Sequence, residues 1–175
     1  MLPSELISAD YRAEQSALHA KGNYGTASLQ FGGIVSGLIN RLAVFSVLDY
    51  GCGSMRNLLT VLRPEHEIRY QGYDPAVPEY ADNPEPADLV VCIDVLEHIE
   101  PELLDNVLDH LQSLSPVWGF FTVHTGPAHK KLSDGRNAHL IQEPPSWWLP
   151  KILDRWELRQ FQATQHGFTV LCKGK

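Results

Sequence analysis

The chain reads as an α/β protein: a doubly wound, mostly parallel sheet closed by an antiparallel hairpin at its C-terminus. Three observations predict this. Short apolar runs rich in β-branched and aromatic residues alternate with helical stretches from about residue 34 onward. Three of the runs end on an aspartate that hands over to a turn, in "VLDYGCG", "YQGYDP" and "VCIDVLEH". The last two runs flank a short turn at 165–167, as a hairpin does. With 175 residues the chain can bury one full core.

Residues 5–20 read as a polar helix with Leu6, Tyr11 and Leu18 as scattered anchors. The glycines of "HAKGNYGTASLQFGG" mark a loop. Ile34, Leu38, Ile39 and Leu42 recur at helical spacing and lead into the first strand, "AVFSVLDY". A short helix fits 56–62 and stops before Pro64, and "IRYQGYD" is the second strand. "PAVPEYADNPEPA" holds four prolines in 13 residues, too broken for a helix, so a βα unit is expected to be missing there. "DLVVCID" is the third strand. After Pro101, Leu103, Leu104, Val107, Leu108, Leu111 and Leu114 give an amphipathic helix. "VWGFFTVHT" is the fourth strand, and 126–150 reads as a long loop or cap. These elements divide the chain into an N-terminal helix and lid segment, 1–33, and a main domain, 34–175, with a cap loop at 124–150.

The bulk numbers exclude several classes. No apolar run approaches the roughly 20 residues of a membrane span. The formal charge is -7, and no cationic cluster exceeds Lys130-Lys131. Strong nonspecific binding to nucleic acid, which needs clustered cations, is therefore not expected. Cys52, Cys92 and Cys172 are an odd, sparse set that favours reduced thiols. The first residues show neither a basic start nor an apolar signal region, so the expected location is cytoplasmic.

Open α/β sheets bind ligands at the C-terminal ends of their strands, where a glycine turn lets a ligand approach the backbone. Asp74 lies 23 residues after Gly51, where the second strand ends beside the first. A carboxylate there can accept both hydroxyls of a ribose. A dinucleotide site wants G-x-G-x-x-G, and here Arg56 fills the third position, against tight packing on a pyrophosphate.

Together "VLDYGCG", "YQGYDP" and "ADLVVCIDVLEHI", with the terminal hairpin, resemble the class I S-adenosylmethionine-dependent methyltransferases, over roughly residues 34–175. The resemblance implies a compact Rossmann-like fold and an enzyme that methylates an O or N atom of a small molecule or nucleotide. It implies that Asp49, Gly51, Cys52 and Gly53 line the methionine part of the cofactor. Asp74 and Pro75 would hold the ribose, and Asp94 and Val95 would flank the reactive end. Met55 departs from the usual third glycine, and Asp82 is the candidate for an adenine-binding acid. A different class of function is a non-catalytic cofactor-binding domain that docks onto a partner; the polar groups expected around the pocket oppose it.

On a helical turn, Asp94, Glu97 and His98 would share one face, a suitable set for a hard cation. Metal-dependent members of the superfamily, the small-RNA 2′-O-methyltransferases and ubiquinone-pathway O-methyltransferases, carry a similar acid-x-x-Glu-His turn, and the small-RNA enzymes add a later histidine, for which His139 stands in a comparable place. The candidate metal set is therefore Asp94, Glu97, His98 and His139, for Mg, Mn or Fe; the alternative is that Glu97 pairs locally and His98 packs. His124, ending the fourth strand, is a candidate general base or a hydrogen-bonded core histidine, with His98 a second catalytic candidate. Tyr24 in the lid and Trp147 beside Trp148 are candidate substrate contacts, whereas His129 and Lys130-Lys131 read as solvated loop.

Overall fold

The computed structural model describes residues 5–22 and 25–175. Six strands form one sheet in the order β2-β1-β3-β4-β6-β5. They are β1 (Ser46–Tyr50), β2 (Arg69–Tyr73), β3 (Leu89–Ile93), β4 (Trp118–His124), β5 (Trp156–Ala163) and β6 (Gly167–Gly174). The first four run parallel, β6 is antiparallel to β4, and β5 pairs antiparallel with β6. The expected sheet and its terminal hairpin are therefore both present.

Strand periodicity sorts the side chains onto two faces. In β3, whose five residues are all buried, Val90 and Cys92 join one core, while Leu89, Val91 and Ile93 join the other. The first core is covered by α4 (Leu104–Leu114) and α5 (Pro145–Leu153), the second by α2 (Gly32–Leu42) and α3 (Asn57–Val61). In α4 the predicted apolar stripe is buried at Leu104, Val107, Leu108, Leu111 and Leu114. Leu103 falls in a preceding 3-10 turn, Pro101–Leu103.

Residues 74–88 cross from β2 to β3 with only a 3-10 turn, Pro78–Tyr80, so the proline-rich stretch supplies no strand or helix and β2 is left as an edge. The cap region differs from expectation, because α5 begins within it. Pro145 sits in the first turn of α5, where its missing N–H costs nothing. Trp148 is fully buried and donates from Nε1 to Glu143 O at 3.1 Å.

The remaining helix, α1 (Ala9–His19), lies over the C-terminal edge of the sheet. Ser8 caps it and is tied to Glu100 through its backbone N–H and its hydroxyl. Ser16 Oγ donates to Ala76 O at 2.6 Å, and Tyr11 Oη to His98 O at 2.7 Å. No helix among the described residues is long and apolar enough to cross a membrane.

Candidate functional site

Each of the three carboxylates at the strand ends takes a place that its sequence neighbours dictate. After β1 the chain turns through Gly51 (φ +81°) and Gly53 (φ +63°). The N–H groups of Gly51 and Cys52 both donate to Tyr73 O, at 2.7 and 3.1 Å, which clamps the turn to β2. A Cβ on Gly51 would come within 2.4 Å of Val95 Cγ2, so only glycine allows this approach. Asp74 then closes the cradle: its Oδ2 accepts from Gly53 N–H at 3.1 Å and its Oδ1 from Ala76 N–H at 2.9 Å. Arg56 has a left-handed φ of +45° and its guanidinium lies over Tyr80, while Met55 points to solvent.

Asp49 is buried at the end of β1 and accepts from Tyr70 Oη at 2.7 Å. Burial raises its pKa from 3.8 to about 7, against the opposite pull of the tyrosine hydrogen bond. Among the described residues no cation pairs with it. Because the folded pKa lies above the unfolded one, protonation of Asp49 stabilises the fold. That contribution is complete below the unfolded value and is lost as pH rises through about 7. Urea midpoints of the wild type should therefore fall relative to those of an Asp49→Asn variant between pH 4 and 7. Parallel midpoints over that range would contradict the assignment.

Asp94 ends β3 in a left-handed conformation (φ +57°), with its N–H bonded to Thr122 Oγ1 at 3.0 Å. The next turn, Leu96–His98, is 3-10. Asp94, Glu97 and His98 therefore do not share one face, because the chain does not rotate as an α-helix from Asp94 onward. Glu97 instead turns into the core and is fully buried; its Oε1 accepts from His124 N–H at 2.7 Å. Burial, followed by the charge of Asp94, raises the Glu97 pKa well above the usual carboxylate range. Glu97 therefore does not join the ligand cluster.

Asp94, His98 and His139 do come together. One candidate ligand atom from each lies within 4.8 Å of the others. His98 Nδ1 is 2.8 Å from Ala138 O, and His139 Nδ1 is 2.7 Å from Gly126 O. Each carbonyl accepts from Nδ1–H and so fixes the tautomer, the arrangement found behind metal-ligating histidines. Burial pulls the His98 pKa to about 4, so its ring is neutral. His124 lies beside this group, its ring centroid 4.7 Å from that of His139 and 5.5 Å from that of His166, on which it stacks. Burial lowers its pKa as well.

A single cavity of about 480 Å³ joins these two ends, a volume in the usual range for a small-molecule site. Asp49, Gly51, Gly53, Asp74, Pro75, Asp94, Val95, His98, His124 and His139 all line it. Cys52 does not: its Sγ packs against Gly72, and only its backbone serves the turn. Asp82 is exposed and away from the cavity. Trp147 packs on Trp148 beneath Lys151 and does not line the cavity either. His129 and Lys130, expected as solvated loop, reach the cavity wall. Tyr24 lies outside the described residues. The sequence reading missed the roof, where Tyr11, Gln15 and His19 of α1 line the cavity. Their spacing of four was the available signal, since it places all three on one helical face.

The family model for a methyltransferase domain matches residues 10–173. The chain belongs to this methyltransferase family. Its fold is shared with several solved methyltransferases. One is the 1,6-didemethyltoxoflavin-N1-methyltransferase of Burkholderia thailandensis, with bound 1,6-didemethyltoxoflavin and S-adenosylhomocysteine. It is 17% identical with a TM-score of 0.66, over 95% of this chain and 88% of that one. Another is magnesium protoporphyrin IX methyltransferase of Synechocystis with bound S-adenosylhomocysteine (14% identity, TM-score 0.60, 94% and 95% covered). A third is an N-methyltransferase of Bradyrhizobium japonicum, also with S-adenosylhomocysteine (10% identity, TM-score 0.59, 92% and 98% covered). A search of curated proteins found no match by sequence. As a class I S-adenosylmethionine-dependent methyltransferase, this chain has a cradle that suits its cofactor. The glycine turn admits a ligand to the backbone, and among the described residues no cation pairs with the buried Asp49.

Proposed function

We propose that this methyltransferase transfers a methyl group from S-adenosylmethionine to an oxygen or nitrogen of a small-molecule acceptor, in a site that also holds a divalent cation. The observation that carries the reading is the one cavity that runs from the Asp74–Gly53 cradle to the Asp94, His98 and His139 cluster. Asp49 would pair with the cofactor's ammonium group, Gly51 and Gly53 would admit the methionine portion, and Asp74 beside Pro75 would hold the ribose hydroxyls. Asp94 and Val95 would flank the reactive end. The cofactor supplies a methyl group already activated on a sulfonium.

The chain's own task is then alignment of the acceptor lone pair, exclusion of water and removal of one proton per turnover. With Glu97 withdrawn, two histidines and a carboxylate suit Fe²⁺, or Mn²⁺, better than the oxygen-seeking Mg²⁺, and such a cation would supply Lewis acidity toward an acceptor hydroxyl. His124 would take the departing proton, a role supported by its place in the cavity wall beside His139. The net charge of -7 supports a small acceptor over nonspecific nucleic-acid binding. Three free, buried cysteines support a reducing, cytoplasmic setting. The segment before residue 34, with α1 over the cavity, is read as a lid. The test is transfer of labelled methyl from S-adenosylmethionine to fractionated small-molecule and nucleic-acid extracts. Label in the small-molecule fraction is expected; label in none, or in nucleic acid alone, overturns the reading.

A further inference from the structure

We infer that His19, at the end of α1, is a cofactor-binding residue that closes the ribose subsite from the wall opposite Asp74. The inference rests on the proposed cofactor site and adds a residue from outside the sheet. The His19 side chain is only 10% exposed, and its Nε2 lies 3.6 Å from Asp74 Oδ2. That is too long for a direct hydrogen bond. It is short enough for one hydroxyl oxygen to sit within hydrogen-bond reach of both atoms.

The ring also stands directly over the glycine turn, because a Cβ on Gly53 would lie 3.3 Å from His19 Cε1. His19 therefore caps the two groups, Asp74 and the Gly53 backbone, that form the floor of the cradle. Burial lowers the pKa of its imidazole, against the pull of Asp74. A neutral ring can donate from one nitrogen and accept at the other, which matches a hydroxyl.

The position is fixed by α1 rather than by a loose loop. Ser16 Oγ bonds to Ala76 O, next to the peptide N–H that Asp74 holds, and Ser54 Oγ reaches His19 O at 3.4 Å. One turn back, Gln15 is buried on the same face, and its Nε2 has no hydrogen-bond partner among the described residues. A buried amide nitrogen without an acceptor is costly. The roof of the cavity thus carries a second polar group suited to an oxygen of a bound ligand.

The experiment is calorimetric titration of S-adenosylhomocysteine and its 2′-deoxy and 3′-deoxy forms into wild type, His19→Ala and His19→Gln. His19→Ala should weaken S-adenosylhomocysteine roughly fivefold, the effect of one net hydrogen bond. It should weaken much less the deoxy form that lacks the shared hydroxyl. His19→Gln, which keeps a donor and an acceptor, should recover part of the affinity. Unchanged affinity in His19→Ala overturns the inference. Equal losses for all three ligands overturn it too, because they mark a purely structural role for the end of α1. If the wild type binds none of the three, the cofactor site itself is wrong and the inference falls with it.

Discussion

A Gly51→Val chain should bind no measurable S-adenosylmethionine or S-adenosylhomocysteine. Two effects act together at this position. The backbone has φ +81°, which a β-branched residue adopts only under strain, and the new Cβ would be forced to within 2.4 Å of Val95 Cγ2. Val95 cannot swing away freely, because it sits between the left-handed Asp94 and the 3-10 turn that carries His98. Relief must come from the glycine turn, whose N–H groups hold Tyr73 O and Asp74 Oδ2. The cradle therefore opens before the rest of the sheet does. Urea unfolding run beside the titration separates loss of the site from loss of the fold. The Gly51→Val, Val95→Ala double variant relieves the clash and keeps the backbone strain. A folded Gly51→Val chain with wild-type affinity would remove the glycine turn from the cofactor site.

Chelation should abolish turnover, and added Fe²⁺ or Mn²⁺ should restore it better than Mg²⁺. Removing either imidazole, in His98→Ala or His139→Ala, should lower activity by more than about 100-fold, since even the outer partners of metal ligands typically cost 10–100-fold. Cofactor affinity should stay near wild type in both variants, because neither histidine takes part in the hydrogen bonds that build the Asp74 cradle. Glu97→Gln tests the corrected role of that residue. Its carboxyl supports His124 N–H and sits behind Asp94, so the amide should retain more activity than either histidine variant. If chelation leaves turnover intact while His124→Ala is inactive, the metal reading fails and His124 acts as the general base without a cation.

The parts of the molecule that sequence revealed are those governed by periodicity and by backbone chemistry. The five apolar residues of β3, short and rich in β-branched side chains, read as a strand buried on both faces, and the α4 leucines read as an inward stripe. Asp74 was legible because β2 must end beside the glycine turn, and a parallel register brings Tyr73 level with Tyr50. The Asp94–His98 pairing was legible for a reason that proved only half right. Asp94 turns left-handed and the next turn is 3-10, so His98 stays with Asp94 while Glu97 rotates into the core. No local pattern announces a single residue in that conformation. α5 was hidden by its prolines: Pro144 and Pro145 stand at its start, where a helix tolerates them, but Pro150 lies inside it, a position that reads against a helix. The α1 roof was hidden because its contacts with Ala76, His98 and Glu100 are tertiary, made by residues 60 or more positions away.

The central claim is that the acid ending β2 holds the cofactor's ribose, and a titration of S-adenosylhomocysteine into wild type and Asp74→Ala tests it most directly. Wild type should bind, and the variant should bind more weakly by about 1.5–3 kcal/mol, the range for hydrogen bonds to a charged group. A folded Asp74→Ala chain with unchanged affinity, or a wild type that binds nothing, would contradict it.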